Sequence, residues 1–315
     1  MTPLVIIAGP TAVGKTSLSI KLAKKINAEI VSADSMQVYL GMDIGSAKIT
    51  KEEMEGIPHH LIDILDPREE FSVADFKEAA KKAVEDIYSR GKIPMLVGGT
   101  GFYIQSLLYD VDFDESQGKV SSYREELEKK YDELGADAMF EELRKVDPDY
   151  CEIIHKNDKK RVVRALEFYH DTNTPISKHN FDEMKKEPAY NASFFVLNDD
   201  REKIYDRINK RVDIMLKDGL VDEVKKLKEK GLTKEDVSMH GLGYKEILMY
   251  LDNEISIDEA VYMIKRDSRH FAKRQLTWFK RERNVTWVNI NEFDYDKEKI
   301  LGFLCEELRK KNIII

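Results

Sequence analysis

The feature that most constrains this 315-residue chain is a glycine-rich segment near its N-terminus, Gly9-Pro10-Thr11-Ala12-Val13-Gly14-Lys15-Thr16. The segment fits the pattern G-x-x-x-x-G-K-[ST] at every fixed position. It follows a continuous apolar run at residues 4–8 and precedes a helical pattern at residues 16–26. Such a run, stopped by a glycine, is typical of a buried parallel strand. Strand, loop and helix together predict a P-loop.

The loop has a definite chemistry. Successive backbone N–H groups and the N-terminus of the following helix form a binding site for polyphosphate. Lys15 would supply a full charge to the terminal phosphates, and the hydroxyl of Thr16 is a candidate ligand for Mg²⁺, with Asp34 as a candidate second ligand. The loop recognises polyphosphate and not adenosine, so by itself it leaves open which phosphorylated molecule binds.

Strand and helix patterns alternate along the chain. Further strands are predicted at residues 29–33, 93–97, 194–197 and 285–290, and helices at 72–90, 201–230 and 257–283. Between about residues 113 and 188 only helical patterns occur, at 123–134, 136–146 and 158–170. We therefore predict an α/β fold with a P-loop, doubly wound parallel sheet core at residues 1–113 and 190–315, interrupted by an all-helical insertion at 114–189.

Composition narrows the class of protein. The only two cysteines, Cys151 and Cys305, have no CxxC partner, so we expect neither a zinc finger nor a disulfide scaffold. No apolar run approaches the length of a membrane span, and no basic segment precedes residues 4–8 as in a secretory signal. The expectation is a cytoplasmic protein without a membrane partner, with a monomer as the default.

Charge is unevenly distributed. The formal net charge of −8 argues against a nucleic-acid partner, but binding depends on local potential. Residues 265–283 contain eight Lys or Arg and two acidic residues, a net charge of +6, and residues 156–164 carry a net charge of +4. These two segments are candidate contacts for nucleic acid.

A catalytic carboxylate is expected at the end of a strand, where doubly wound sheets bind their ligands. The strand at 93–97 ends in Gly98-Gly99-Thr100-Gly101 and offers none, whereas the strand at 29–33 ends at Asp34. Asp34 is therefore the leading candidate for a general base. The alternative is that Asp34 only caps the turn that follows the strand.

Longer segments resemble a known family. Residues 34–39 (DSMQVY), 41–48 (GMDIGSAK), 58–63 (PHHLID) with 71–74 (FSVA), 98–103 (GGTGFY), 161–166 (RVVRAL), 243–246 (GYKE) and 272–279 (AKRQLTWF) are similar to the signatures of tRNA dimethylallyltransferases, in the family's order. They extend over nearly the whole chain. The resemblance is to the bacterial type, because the zinc finger of eukaryotic members is absent.

The resemblance implies a function. Members transfer a dimethylallyl group from dimethylallyl diphosphate to N6 of the adenosine immediately 3′ of the anticodon in tRNA, with Mg²⁺ as cofactor and a helical insertion that grips the anticodon stem-loop. It implies that Asp34, Thr100 and Lys15 are catalytic and that Arg211 contacts the diphosphate, although a solvated basic face remains an alternative for Arg207 and Arg211. Expected tRNA contacts are Asp34, Ser35, Met36, Gln37, Thr100, Arg124, Lys159, Lys160, Arg161, Val162, Val163, His240, Gly241, Gly243, Tyr244, Lys245, Lys273, Arg274 and Gln275.

Two positions depart from the family pattern: His240 stands where Gln is usual, and Ser46 stands where Thr is usual. We interpret His59 and His60 as structural, because adjacent strand residues face opposite ways and could not share a metal. For Trp278 and Phe279, core packing is favoured over an RNA anchor. Two other functions compete: a small-molecule kinase that uses ATP, and a tRNA-binding protein with a vestigial P-loop.

Overall fold

The computed structural model describes residues 1–112 and 122–314, which form two compact units. The first contains Met1–Leu108 and Ala189–Ile315, and the second contains Tyr109–Pro188. The second unit is therefore an insertion between two segments of the first. The ends of those segments meet, because the backbone N–H of Ala189 donates to the carbonyl of Leu108 at 2.8 Å. Within the described residues, no helix is long and apolar enough to cross a membrane.

A six-stranded parallel sheet forms the centre of the first unit. Its strands have the spatial order β3-β2-β4-β1-β5-β6, and every neighbouring pair is parallel. Helices cover the sheet, which confirms the predicted P-loop α/β class. The strands are β1 (Pro3–Ala8), β2 (Ala28–Ala33), β3 (His59–His60), β4 (Ile93–Gly98), β5 (Asn191–Asn198) and β6 (Val285–Asn289).

Twelve α-helices occur in the described residues. They are α1 (Lys15–Ile26), α2 (Val73–Ser89), α3 (Gly101–Leu108), α4 (Ser122–Val146), α5 (Pro148–Cys151), α6 (Lys159–Thr172), α7 (Ile176–Lys185), α8 (Arg201–Lys217), α9 (Leu220–Glu229), α10 (Tyr244–Leu251), α11 (Ile257–Phe279) and α12 (Lys297–Lys310). Helices α4 to α7 belong to the second unit.

Local sequence explains most of these boundaries. The predicted N-cap of α2 is present as a capping box between Ser72 and Asp75. The region predicted to be helical at 201–230 contains two helices, α8 and α9. Helix α8 ends at Lys217, and Gly219 adopts φ +103°, a left-handed conformation that glycine tolerates and that starts α9 in a new direction.

The sheet is anchored at its β3 edge by a buried carboxylate. His60 Nε2 lies 2.8 Å from Glu29 Oε2, and Arg90 and Lys92 also donate to Glu29. These hydrogen bonds, led by that of Arg90, hold the pKa of Glu29 well below its usual range. His59 lies 2.8 Å from the carbonyl of Ile57 through its ring nitrogen. Both contacts give the histidine pair the structural role expected of it.

The second unit is helical throughout its described residues. The two helices predicted at 123–134 and 136–146 are both present: α4 consists of two helical segments that meet at a kink at Gly135, whose φ of +81° is not helical. The unit has its own core of apolar side chains from α4, α5 and α6, with Met139, Leu143 and Val162 fully buried. Two parts of the predicted 114–189 insertion are not among the described residues of this unit. Residues 114–121 lie outside the described residues, and Ala189 belongs to the first unit.

Candidate active site

The phosphate-binding loop links the carboxyl end of β1 to the start of α1. Gly9 adopts φ +144°, and a Cβ there would meet the carbonyl oxygen of Leu197 at 2.5 Å. Gly14 adopts φ +104° at the N-cap of α1. Both fixed glycines of the pattern are thus required by the backbone. Thr16 lies exposed in the first turn of α1.

Lys15 folds back across this loop. Its Nζ donates to the carbonyls of Gly9 and Pro10, each at 2.8 Å. Burial lowers the pKa of Lys15 to about 7, although the nearby Asp34 carboxylate acts in the opposite direction. Lys15, the residue predicted to supply positive charge to phosphate, therefore lies at the loop. Because its pKa is about 7, its protonation depends on nearby charges.

Asp34 comes directly after β2. Its Oδ1 accepts a hydrogen bond from the N–H of Met36 at 2.9 Å, so the carboxylate does cap the turn. It also lines a cavity and is desolvated, and this burial raises its pKa against the opposing influence of Lys15 and Arg211. The two interpretations of Asp34 are therefore compatible: one oxygen fixes the turn, and the group still faces the site.

The loop after β4 brings Thr100 to the same place. The Thr100 hydroxyl accepts from the N–H of Ser35 at 3.3 Å, and the N–H of Thr100 donates to the carbonyl of Ala33 at 3.2 Å. A Cβ on Gly98 would meet that carbonyl oxygen at 2.1 Å, so only glycine permits this approach. The two hydrogen bonds of Thr100 thus connect the residues that follow β4 to those at the end of β2.

Helix α8 presents two arginines to the phosphate loop. Arg207 donates through Nε to the carbonyl of Ala12 at 3.0 Å and through Nη2 to Asp199 at 2.6 Å. Arg211 Nη1 lies 3.4 Å from the hydroxyl of Thr11, and burial lowers its pKa. A solvated basic face does not describe these side chains, because both contact the loop.

Helix α11 reaches the loop from another direction. The side chain of Gln275 is buried, accepts from the N–H of Thr11 at 2.9 Å and donates to the carbonyl of Gly99 at 3.0 Å. On the same helix Phe279 is buried in the core, as favoured, whereas Trp278 stays 37% exposed beside Gly101. Lys273 and Arg274 are exposed.

These elements enclose a cavity of about 400 Å³ in the first unit. One part of its lining is polar and includes Thr11, Asp34, Ser35, Thr100, Arg211, Arg274 and Gln275. Another part is apolar and includes Ile208, Val212, Met215, Leu242, Ile264 and Phe271. A cavity with a cationic, phosphate-binding end and an apolar wall suits a small ligand that has both a polyphosphate and a hydrocarbon part.

A loop at residues 43–47 forms one side of the cavity and is held by a carboxylate that the sequence analysis missed. Glu223 of α9 accepts from the N–H groups of Asp43, Ile44 and Gly45 at 2.9, 2.8 and 3.0 Å. It also accepts from the Tyr244 hydroxyl at 2.8 Å. No local pattern marks Glu223, because its backbone partners at residues 43–45 lie about 180 residues away in sequence and Tyr244 lies 21 residues away.

Matches to known proteins agree with this geometry. A family model described as IPP transferase matches residues 37–282. The chain is 54% identical to a tRNA dimethylallyltransferase of Lachnoclostridium phytofermentans, with all of both chains covered. It is 52% identical to a tRNA dimethylallyltransferase of Acetivibrio thermocellus, with 96% of each covered.

The chain belongs to the IPP transferase family.

Solved structures of this family share the fold. A tRNA isopentenylpyrophosphate transferase from Bacillus halodurans is 44% identical with a TM-score of 0.74, and the match covers 99% of this chain and 98% of that one. A eukaryotic dimethylallyltransferase described as acting on tRNA is 36% identical with a TM-score of 0.77, covering 88% of this chain and 70% of that one. The kinase alternative finds no support among these relatives.

The structure sorts the expected RNA contacts of the first unit. Ser35, Met36, His240 and Gly241 line the cavity, and Lys245 is exposed. Tyr244 is fully buried, with its hydroxyl between Glu223 and the N–H of Ser46, so direct contact of its ring with RNA is excluded in this structure. Gly243 adopts φ +92° at the start of α10. The Gln37 amide lies 3.5 Å from the carbonyl of Ala47.

In the second unit, two of the residues expected to contact RNA are buried and three others form ion pairs. Val162 and Val163 are buried in its core and cannot touch RNA through their side chains. Lys159 binds Asp132, Arg161 binds Asp158, and Arg124 binds the buried Glu167. Part of the net charge of +4 at residues 156–164 is offset by acids outside that segment, since Lys156 pairs with Asp137, Lys159 with Asp132 and Arg164 with Glu167. Lys160 is exposed.

Proposed function

We propose that this chain transfers a dimethylallyl group from dimethylallyl diphosphate to N6 of the adenosine immediately 3′ of the anticodon in tRNA. The observation that carries the proposal is the position of Asp34, whose carboxylate faces a cavity shared with the phosphate loop and with an apolar wall. The relatives are named as tRNA dimethylallyltransferases or described as acting on tRNA, which supports the same reaction.

The donor would bind with its diphosphate at the loop and its hydrocarbon against the apolar wall. Backbone N–H groups at the start of α1, with Lys15 and Arg211, supply positive charge to the diphosphate. A bound anion favours the charged form of Lys15, whose pKa of about 7 lies close to neutral pH in the free chain. Because pyrophosphate is the leaving group, this charge stabilises the transition state as negative charge develops.

Mg²⁺ fits this loop as an ion shared with the substrate. The described residues contain no group of three or more His, Cys, Asp or Glu side chains that could hold a metal alone. Mg²⁺ at phosphate sites commonly uses one or two protein oxygens together with phosphate oxygens and water. Thr16, exposed in the first turn of α1, would hold it, and the bound ion would neutralise charge on the departing pyrophosphate.

The acceptor adenine would enter beside Asp34, Ser35 and Thr100. As the bond between N6 and the donor C1 forms, the bond from C1 to the diphosphate oxygen breaks, and Asp34 takes the proton that N6 loses. The raised pKa of Asp34 brings a carboxylate closer to the range in which general bases work best. The base must leave its stack to reach a cavity of this depth.

Contacts with the anticodon stem-loop are proposed for the second unit and, separately, for α11 of the first unit. Lys160, Lys273 and Arg274 are exposed cations suited to phosphate contacts, which position RNA without reading its sequence. A cytoplasmic location is part of the proposal and is supported by the proposed action on tRNA, and a monomer remains the expectation. Residues 114–189 would act as the gripping domain.

Radiolabel transfer tests the proposal. Label carried on the dimethylallyl group should appear in an anticodon stem-loop that contains adenosine 3′ of the anticodon, and should not appear when that adenosine is replaced by guanosine. Label supplied as ATP γ-phosphate should not be transferred. Transfer from ATP, with none from dimethylallyl diphosphate, would restore the kinase alternative.

A further inference from the structure

The side chain of Gln275 joins the two loops that carry the reacting groups. Its Oε1 accepts from the N–H of Thr11 in the phosphate loop, and its Nε2 donates to the carbonyl of Gly99 after β4. Gln275 is 6% exposed, its bond to Gly99 is buried and its bond to Thr11 is partly buried. A buried amide whose two ends each bind backbone holds two segments at a fixed separation.

The connection continues to the general base. Thr100, next to Gly99, donates its N–H to the carbonyl of Ala33 and accepts from the N–H of Ser35 through its hydroxyl. Asp34 lies between those two residues. A single side chain therefore links the loop proposed to hold the donor to the turn proposed to receive the acceptor.

Steric fit supports this role. A Cβ on Gly99 would come within 2.2 Å of Gln275 Nε2, so glycine at 99 is what lets the amide reach the carbonyl. On the other side, the N–H of Thr11 is already bonded to protein and is not available to phosphate. Gln275 is placed to align the loop and not to bind the anion.

The expectation that Gln275 contacts tRNA has less support. Its neighbours Lys273 and Arg274 are exposed, whereas Gln275 faces inward from the same helix with both ends of its amide bonded to protein. A contact with RNA would require one of these two hydrogen bonds to break, which leaves a backbone group without a partner.

We propose that Gln275 is a positioning residue that sets the separation of donor and acceptor, and that it acts on the transfer step and not on the binding of either substrate. The proposal rests on the proposed function. Small displacements of reacting groups are costly to rate, because alignment contributes much of the acceleration when two substrates must meet.

Gln275→Met is the direct test, since methionine matches glutamine in length but has no amide. The single-turnover transfer rate should fall about 10- to 100-fold. Dissociation constants for tRNA and for inorganic pyrophosphate should stay within about twofold of those of the wild type. The matched control is Gln105→Met on α3, where a half-buried glutamine has no part in these loops, and the rate should be unchanged.

Gly99→Ala provides an independent variant that leaves α11 intact. Its methyl group should displace the Gln275 amide and slow transfer by a similar factor. Combined with Gln275→Met, the two losses should not add, because both remove the same link. If Gln275→Met does not fold, Gly99→Ala alone still tests the link between Gly99 and Gln275.

The outcomes separate the hypotheses. An unchanged transfer rate in Gln275→Met overturns the positioning role, as does a loss of tRNA affinity equal to the loss of rate, which would indicate an RNA contact. Fully additive losses in the double variant overturn it too. Failure of the wild-type chain to transfer the dimethylallyl group would instead reject the proposed function.

Discussion

The hydroxyl of Tyr244 donates to the carboxylate of Glu223 at 2.8 Å, and together the two side chains hold the backbone of residues 43–46. Burial and the negative charge of Glu223 raise the pKa of Tyr244 far above its usual range, so the phenol remains a donor at any working pH. A Cβ on Gly45 would meet the Tyr244 ring at 2.5 Å, which explains the glycine there.

Removal of this contact should destabilise the protein. Tyr244→Phe keeps the ring but leaves Glu223 and the N–H of Ser46 each short of one partner, so the free energy of unfolding should decrease by about 1–2 kcal/mol. Glu223→Ala removes the acceptor of four hydrogen bonds and should cost about 3 kcal/mol. Urea unfolding followed by circular dichroism measures both.

The neighbouring Asp222→Ala is the control, because Asp222 is exposed on the same turn of α9 and should change stability by less than about 0.5 kcal/mol. Equal effects at positions 222 and 223 would contradict a specific role for Glu223.

Asp34→Asn separates the two roles of Asp34. Asparagine retains an oxygen that can accept from the N–H of Met36, so the turn should persist, but its amide cannot accept the proton of N6. The turnover number should fall about 10²- to 10⁴-fold while tRNA affinity is retained. The measurements are single-turnover transfer and filter binding of the stem-loop. An equal loss of both quantities would make Asp34 structural.

Lys15 predicts a pH dependence of stability. Its pKa is about 7 in the folded chain and near 10.5 when unfolded, so between these values the unfolded chain binds the proton that the native chain lacks. The free energy of unfolding, relative to that of Lys15→Met, should therefore rise as pH increases from about 7 to 10, with little change below pH 7. Urea unfolding of both proteins in the absence of phosphate compounds measures this difference. Parallel pH curves would rule out a depressed pKa.

The ion pair of Lys159 with Asp132 predicts a gain of function. Lys159 Nζ lies 2.6 and 2.7 Å from the two carboxylate oxygens, so part of its charge is offset. Asp132→Asn should tighten stem-loop binding and steepen its salt dependence by about one phosphate contact. Lys159→Ala with Lys160→Ala should do the reverse.

The control is to make Asp132→Asn both in the wild-type chain and in a chain that already carries Lys159→Ala. In a Lys159→Ala chain, Asp132→Asn should have a much smaller effect, because the cation that it releases is gone. An identical gain in both backgrounds would reflect a general change of charge and not the release of Lys159.

Local pattern was enough to predict the sheet and the loop. The apolar run before Gly9, the fixed glycines and Lys15 depend on backbone geometry within a few residues, and so does the capping box of α2. Asp34 followed from the topology of parallel sheets. The break at Gly219 was missed because an apolar helical period continues on both sides of it.

The features that the sequence did not predict depend on contacts between residues far apart in the chain. Gln275 and its partner Thr11 are 264 residues apart, so the sequence does not show their contact, and Gln275 was expected to contact tRNA because its segment resembles one that does so in the family. Glu223 reads as an ordinary surface acid of an amphipathic helix. Val162 and Val163 were expected at an RNA surface because their segment resembles one that contacts tRNA in the family, but helical geometry turns their side chains into the core.

The hydrogen bond from Ala189 to Leu108 has a consequence for how such an enzyme can be remodelled. The chain leaves the sheet-bearing unit at Leu108 and re-enters it at Ala189, and because these two residues are hydrogen-bonded to each other the intervening segment is inserted at a single point. A splice of a few small residues between these two positions would still close the backbone. The part of RNA binding that is proposed for the second unit could thus be exchanged by recombination at a single seam, while Asp34 and the phosphate loop are retained.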